Sequence, residues 1–501
     1  MFKHRKIIMM ILSTLICISL TACQTDESEY ENEYMTEVAY EDNEPLQADD
    51  YHDYITAQIV FSGAPVRADE LHWTTERDRA WEEDVRTFAI IALRSHPLLH
   101  SYDIVFFRGR AHREHSYEAF NVLLQRAAAR NGILADNAYD MTNELRELII
   151  QKVNALILEI PDLNDYAIKF ILQEIAAVFG DAHTMVYPNI GRVFPIQVFA
   201  LRDGIYITGA PHEMEHILYG EILAIGGTSI YEITERFLRI ISHENEYGFR
   251  HMSLAADVVA QELLHHIGVI DDSGMADFTI RDVSGEIFDI TLQAVGRDVF
   301  DDMITAEFVS HELGFLTHRH LEEEYWFFYE YFSDESLMYI RISRFSESAS
   351  VNAVIRELRN ELSNWQNDDI AKLVIDLRQN RGGRHTWPLG GDFSIINELA
   401  NYVYVIIDGS SYSASIVAAT YIMNYAQNVT IIGEPTAGPK NFFSGSNRFL
   451  PNSNLWYRIS EGGDIYSDCS DVAIRPDILI HLTIDNIINR RDPVLDFIRD
   501  Q

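Results

Sequence analysis

Between Arg77 and Phe179 the apolar positions recur every three or four residues, as in Trp81, Val85 and Phe88 and again in Ile168, Leu172, Ile175 and Phe179. That spacing lines one face of each helix with apolar side chains and predicts a helical domain. Its last helix has Asn164 as N-cap and stops at Gly180, which leaves Asp181-Ala182-His183-Thr184 in the turn that follows. Beyond the turn the period shortens to that of strands: residues 195–201, a turn at Asp203-Gly204, residues 205–208, and the run 220–227 ahead of a helix over 232–241. From Leu337 onward, strands at 338–343, 373–377, 403–407 and 429–433 alternate with helices at 351–362 and 413–425. Such alternation predicts an α/β layer whose strands are buried on both faces.

The start of the chain follows a different rule. Lys3, Arg5 and Lys6 precede an apolar run, 7–20, that is too short to span a bilayer as a helix and reads as a secretion signal. It ends in Leu20-Thr21-Ala22-Cys23, the small-residue pattern cut by lipoprotein signal peptidases just before a cysteine that carries lipid. Cys23 is therefore the expected mature N-terminus, and the protein is expected outside the cytoplasmic membrane of a bacterium, anchored by its lipid. Cys17 leaves with the signal and Cys23 takes lipid, so Cys469 has no partner and no disulfide framework forms.

Residues 24–50 hold eleven acidic residues and no Lys or Arg, a composition that cannot bury a core and reads as a disordered tether. The formal charge of −38 repels nucleic acid, whose binding needs a basic footprint. Roughly 450 residues follow the tether, more than one core can serve. The expected division is 1–22 signal, 23–50 tether, 51–190 helical domain, 191–300 small mixed domain and 301–501 α/β domain.

The chemistry is concentrated where two of the strands end. The strand at 373–377 runs into Asp376-Leu377-Arg378-Gln379-Asn380-Arg381-Gly382-Gly383, and paired glycines there let backbone N–H groups approach a ligand. The next strand leads into Gly409-Ser410-Ser411-Tyr412-Ser413-Ala414-Ser415 and an apolar helix, at whose N-terminus unpaired N–H groups stabilise developing negative charge. Taken singly, the first is an ordinary turn and the serines are N-caps. Together with Gly433-Glu434-Pro435-Thr436-Ala437-Gly438, the two segments resemble the C-terminal-processing and tricorn-core serine peptidases, whose patterns in this order are D-L-R-x-N-x-G-G, S-x-S-A-S-E and G-E-x-T-x-G. The likeness extends to Arg475-Pro476-Asp477-Ile478, and to 220–227, which is similar to the G-D-x-I-L-x-I-N-G string of PDZ-like domains with Glu221 and Gly226 departing from it.

The resemblance implies an α+β multidomain protein: a helical N-terminal domain, a degenerate PDZ-like domain and a crotonase/ClpP-like α/β catalytic domain. It implies hydrolysis of peptides or unfolded proteins with no metal or other cofactor. Ser413 becomes the nucleophile, and the N–H groups of Ala414 and of Gly382 or Gly383 form the oxyanion hole. Ile416 replaces the family's frequent Glu. In the C-terminal-processing branch a lysine directly follows the last glycine of G-E-x-T-x-G, but here Pro439 stands there and Lys440 comes one later. In the tricorn-like branch a histidine after the helical part serves as base, and His183 fits that pattern. His183 is the preferred base, since imidazole both takes and returns a proton near neutral pH; Lys440 is the alternative. To orient the base the resemblance points to Asp471, near Asp468, with Glu434 and Glu461 as competitors.

Two other classes of function compete. His212-Glu213-Met214-Glu215-His216 is a literal H-E-x-x-H, the zinc-protease string, though Pro211 and Gly220 leave barely room for the helix it requires. A non-catalytic peptide-binding lipoprotein that keeps the fold is the other, suggested by the displaced lysine and the missing Glu. The lipoprotein reading makes one direct prediction. Cells fed a labelled fatty acid should label the wild-type protein, and Cys23→Ser should abolish the label and leave the protein unprocessed or secreted; label that survives the change rules out Cys23 as the anchor.

Overall fold

The computed structural model describes residues 75–501 apart from 101–106, 109–112, 307, 311–325, 347, 363–369, 384–395, 441 and 465–470, so the signal, Cys23, the acidic tether, Asp468 and Cys469 lie outside the described residues. Among the described residues the first long helices are α1 (Glu76–Ser95), α2 (Arg113–Arg130), α3 (Ala138–Glu159) and α4 (Asp165–Ala177). Asn164 caps α4 as its sequence suggests, its Oδ1 accepting the Ala167 N–H at 2.9 Å. Ile168, Leu172 and Ile175 of α4 are fully buried, each such side chain contributing about 2 kcal/mol. The chain leaves α4 through Gly180, whose φ of +62° is a left-handed conformation that favours glycine, and turns sharply as Thr184 N–H donates to the Asp181 carbonyl.

Strands β1 (Gln197–Ala200), β2 (Ile205–Pro211), β3 (Glu221–Ile225), β4 (Met275–Arg281), β5 (Ile287–Gln293) and β6 (Phe308–Ser310) form an antiparallel sheet in the order β6-β2-β3-β4-β5, with β1 on β2 and the short Thr228–Ser229 on β3. Helix α5 (Ile230–Phe237), capped by Ser229, lays Ile233 and Phe237 against Ile207, Ile222 and Phe278 of this sheet.

The second large sheet runs β7 (Phe327–Phe332), β8 (Leu337–Ile342), β9 (Lys372–Asp376), β10 (Tyr402–Ile407), β11 (Val429–Gly433) and then the short strand Ile478–Leu479. All neighbours are parallel except β7 with β8. Alternate residues face opposite layers, as the two-residue period of a strand requires. Ile340, Leu373, Ile375, Val405 and Ile407 meet α6 (Ala349–Leu362) and α7 (Ala414–Tyr425) on one side. Tyr339, Val374, Ile406 and Ile432 meet Val494 and Ile498 of α8 (Pro493–Arg499) on the other. The expected double burial of these strands is thus observed, and β7 is an added antiparallel edge whose aromatic run lacks the alternation that marks a strand in sequence.

One element crosses between layers. The hairpin of β12 (Phe442–Phe449) and β13 (Trp456–Asp464) falls within the span 301–501, yet Phe443, Leu450, Leu455, Tyr457 and Ile459 pack into the core of the helical domain. Tyr457 meets Phe88 of α1 edge-on at 5.6 Å. Buried Asp84, also of α1, accepts the backbone N–H groups of Asn452 (2.9 Å) and Ser453 (2.8 Å) at the hairpin tip. Asp84→Ala strands both donors without an acceptor, which typically costs about 1–3 kcal/mol each. Chemical denaturation should show the variant less stable by at least the lower figure, and an unchanged midpoint would mean that packing alone holds the hairpin to α1.

Candidate active site

The segments leaving β9 and β10 at their carboxyl ends are laced together before any reactive group is considered. Asp408 Oδ1 accepts the N–H groups of Gln379 (3.0 Å) and Ser410 (2.9 Å). Ser411 Oγ donates to the Leu377 carbonyl at 2.8 Å, and Tyr412 N–H donates to the Asn380 carbonyl at 2.9 Å. Ser411 is thereby a structural hydroxyl, while Ser415 Oγ is buried without a hydrogen-bond partner.

Ser413 occupies the N-cap position of α7 but caps nothing. Its backbone has φ 55° and ψ −120°, a conformation that costs a non-glycine residue on the order of 1–3 kcal/mol and persists only where the surroundings impose it. Here the Tyr412–Asn380 bond precedes it and the Val417 N–H donates to its own carbonyl at 3.1 Å. The twist frees Oγ from the helix end and turns it toward His183.

His183 stands 230 residues earlier in the chain, in the turn after α4, and its Nε2 lies 3.0 Å from Ser413 Oγ. Its ring packs against those of Tyr412 (centroids 4.6 Å, interplanar 28°) and Phe442 (5.3 Å, 17°), which restricts its plane. Nδ1 is 2.6 Å from the Tyr412 hydroxyl, and that hydroxyl donates to Glu244 Oε1. A hydroxyl whose proton goes to Glu244 accepts from Nδ1–H, leaving the Nε2 lone pair facing Ser413. The groups therefore form a chain Ser413–His183–Tyr412–Glu244.

Beneath this chain lies a second buried carboxylate. Asp181 Oδ1 accepts the His183 N–H at 2.9 Å, and Oδ2 accepts the hydroxyls of Thr184 (2.8 Å) and Ser460 and lies 3.3 Å from His96 Nε2. Burial works to raise the Asp181 pKa, but the hydrogen bond and charge of His96, the charge of His183 and the Ser460 hydroxyl outweigh it and the net shift is downward. Glu244 has weaker support. Burial and then the Asp181 charge push it up to about 8, against the opposing Tyr412 hydrogen bond and the Arg126 and Arg130 charges.

For an oxyanion the loop offers fewer donors than its glycines suggest. Gly382 N–H donates to Asn380 Oδ1 at 2.8 Å, while Asn380 Nδ2 donates to the Ile342 carbonyl, so that N–H is already in use. Gly382 has a spatial reason to be glycine: with φ +96°, a Cβ there would meet Ser413 Cβ at 2.7 Å. Among the described residues no acceptor takes the N–H of Gly383 or of Ala414, the first residue of α7. These two remain as the candidate oxyanion donors.

Several expected residues stay apart. Half-buried Lys440 makes no hydrogen bond to Ser413, whose hydroxyl faces His183 instead. Asp471 is exposed, and the place expected for it beside Nδ1 is taken by Tyr412 and Glu244. Glu434 binds His481 at 2.6 Å, and Glu461 pairs with Arg448. Residues His212–Ile217 form a 3₁₀ helix kinked at Met214, with both histidines exposed; at three residues per turn, positions four apart do not share a face, so the zinc-protease arrangement is absent. Glu244 and Tyr412 went unmarked in sequence, because Glu244 lies between two recognisable elements and Tyr412 occupies a variable place of its motif.

Residues 336–387 match the profile of Peptidase family S41. Solved structures align with the chain at low identity. Mature CPAF in complex with lactacystin aligns at 11 % identity and TM-score 0.47 over 77 % of this chain and 97 % of that one. The photosystem II D1 C-terminal processing protease aligns at 13 % and 0.32 over 72 % and 93 %, and the tricorn protease at 12 % and 0.32 over 84 % and 36 %. No curated protein is significantly similar in sequence.

The raised Glu244 pKa has a sign that can be measured. An ordinary glutamate ionises near 4.5, so between that value and about 8 the folded protein holds a proton that the unfolded chain has released. Folding stability must then fall as pH rises across this window. Glu244→Gln removes the group, and denaturant midpoints followed from pH 5 to 9 should decline less steeply for the variant than for the wild type. Parallel declines would show that Glu244 ionises normally.

Proposed function

We propose that this chain, whose residues 336–387 match the profile of Peptidase family S41, is an exported, lipid-anchored serine peptidase acting on peptides or unfolded proteins through an acyl-enzyme on Ser413. The observation that carries this reading is the 3.0 Å contact of His183 Nε2 with the hydroxyl of a serine held in strained backbone at a helix N-terminus. The profile match over residues 336–387 supports peptidase activity, and the contact supports these residues as the ones that perform it.

Ser413 Oγ attacks the scissile carbonyl carbon while His183 Nε2 takes its proton. The carbonyl oxygen becomes an oxyanion, met by the N–H groups of Ala414 and Gly383 with the α7 dipole behind them. The imidazolium is stabilised through Nδ1–H, which donates to Tyr412, which donates in turn to Glu244. Nε2 then returns its proton to the leaving amine, and a water molecule deprotonated by the same nitrogen releases the acyl group. Tyr412 and Glu244 touch no substrate and act as positioning residues. Ionised Glu244 can only accept from Tyr412 and so enforces the tautomer with Nδ1 protonated; a protonated Glu244 permits the reverse polarity, which occupies Nε2 with a proton.

The test is a set of variants assayed on an unfolded protein substrate. Ser413→Ala should lower turnover by on the order of a million-fold, and His183→Ala by nearly as much, their effects not adding because nucleophile and base act as one unit. Tyr412→Phe keeps the ring stack and loses the relay, for a fall of about a hundredfold or more. Lys440→Ala should stay within a few-fold of wild type. An inactive Lys440→Ala with an active His183→Ala would replace this reading with a Ser413–Lys440 dyad.

A further inference from the structure

Behind the imidazole, on the side away from Ser413, three metal-ligating side chains converge. Asp181, His183 and Glu244 each present a donor atom within 4.8 Å of the others. His183 Nδ1 is 3.9 Å from Asp181 Oδ1 and 4.0 Å from Glu244 Oε1. Asp181 Oδ2 is taken up by Thr184, Ser460 and His96, whereas Oδ1 has the His183 N–H as its hydrogen-bond partner and keeps a lone pair. Glu244 adds an independent sign. Its side chain is 6 % exposed, its Oε2 is buried with no hydrogen-bond partner, and it lines with Asp181 a cavity walled by Phe179, Phe442, Phe443 and Arg126, whose charge is felt by Glu244 without a hydrogen bond to Oε2. A buried carboxylate oxygen without a donor is costly, and a cation satisfies it.

We propose that the rear of the His183 ring is an inhibitory site for Zn²⁺, held by Asp181 Oδ1, His183 Nδ1 and Glu244. One imidazole and two carboxylates suit this borderline ion better than Mg²⁺ or Ca²⁺, which prefer oxygen alone. Zinc bonds to such donors at about 2.0–2.2 Å, which sets the donors roughly 3–4 Å apart, so donors that now lie within 4.8 Å of one another must close in by about 1 Å. The Tyr412 hydroxyl, 2.6 Å from Nδ1, stands beside them as a further oxygen donor once it moves back from the ring. Inhibition follows from the two nitrogens of one ring. With zinc on Nδ1 the neutral imidazole carries its proton on Nε2, and Nε2 can no longer take the proton of Ser413. This consequence rests on His183 acting as base; the binding itself does not.

The two parts are tested separately. Full-length Ser413→Ala protein, which keeps every ligand and cannot digest itself, is equilibrated with Zn²⁺ by dialysis, and bound metal is counted by elemental analysis. One zinc per chain is expected, weakened at least tenfold when either His183→Ala or the conservative Glu244→Gln is added, and unchanged when His212→Ala and His216→Ala are added to remove the exposed pair. In parallel, wild-type hydrolysis should fall with added Zn²⁺, recover with chelator and ignore Mg²⁺. No bound zinc, binding indifferent to both His183 and Glu244, or binding lost with His212 and His216 would overturn the proposal. Zinc bound at the site in a protein that hydrolyses nothing would instead overturn the peptidase reading and leave the site standing.

Discussion

The carboxylate of Asp181 is buried at the seam between the turn after α4 and strand β13, and four different parts of its surroundings donate to it or lie against it: the His183 backbone, Thr184, Ser460 and His96. A carboxylate taken out of water costs several kcal/mol unless its lone pairs are met, and these lone pairs are met only when the turn and the hairpin stand in one register. That register carries Phe442 of β12 to one face of the His183 ring. The helical domain thus contributes its catalytic candidate by docking on a hairpin from the domain that holds Ser413, and the shared apolar core of Phe88, Tyr457 and Ile459 supplies the energy of docking.

The same logic places the polar residues Asp376 and Arg378 away from Ser413. Asp376 is fully buried, bonded by Tyr339 at 2.6 Å and by Arg378 at 2.6 Å, with Arg341 at 3.3 Å, and Arg378 reaches on to Asp492, the N-cap of α8. Burial alone would raise the Asp376 pKa, but the Arg378 and Arg341 charges reverse this and hold it well below the usual carboxylate range. The ion pairs fix where β9 ends. Asn380 and Asp408 then tie that end to the segment preceding Ser413, and the rigidity so gained sustains the strained serine.

Two carboxylates near one imidazole could be expected to behave alike, yet their surroundings divide them. Asp181 is surrounded by donors and stays charged, while Glu244, with Tyr412 as its donor and Asp181 as a like-charged neighbour, is pushed toward its neutral form. Asp181 holds the turn through the His183 N–H, while Glu244 accepts from the Tyr412 hydroxyl that faces His183 Nδ1.

Local pattern determined much of this protein. The period-3.6 stripes of α4, the Asn164 cap and the Gly180 stop depend on neighbours a few residues away, and so they were legible, as were the doubly buried strands β8 to β11 and the turn bearing His183. The spaced motifs marked Ser413 and its loop for the same reason, since a motif is a local constraint on backbone shape. Tertiary structure alone decided what stands behind His183. Glu244 reaches Tyr412 across 168 residues and Ser460 reaches Asp181 across 279, distances over which no periodicity or spacing carries information. It also decided that Gly382 offers space rather than its N–H and that Asp471 faces solvent, because hydrogen-bond partners and burial belong to the packed molecule and not to the order of residues along it.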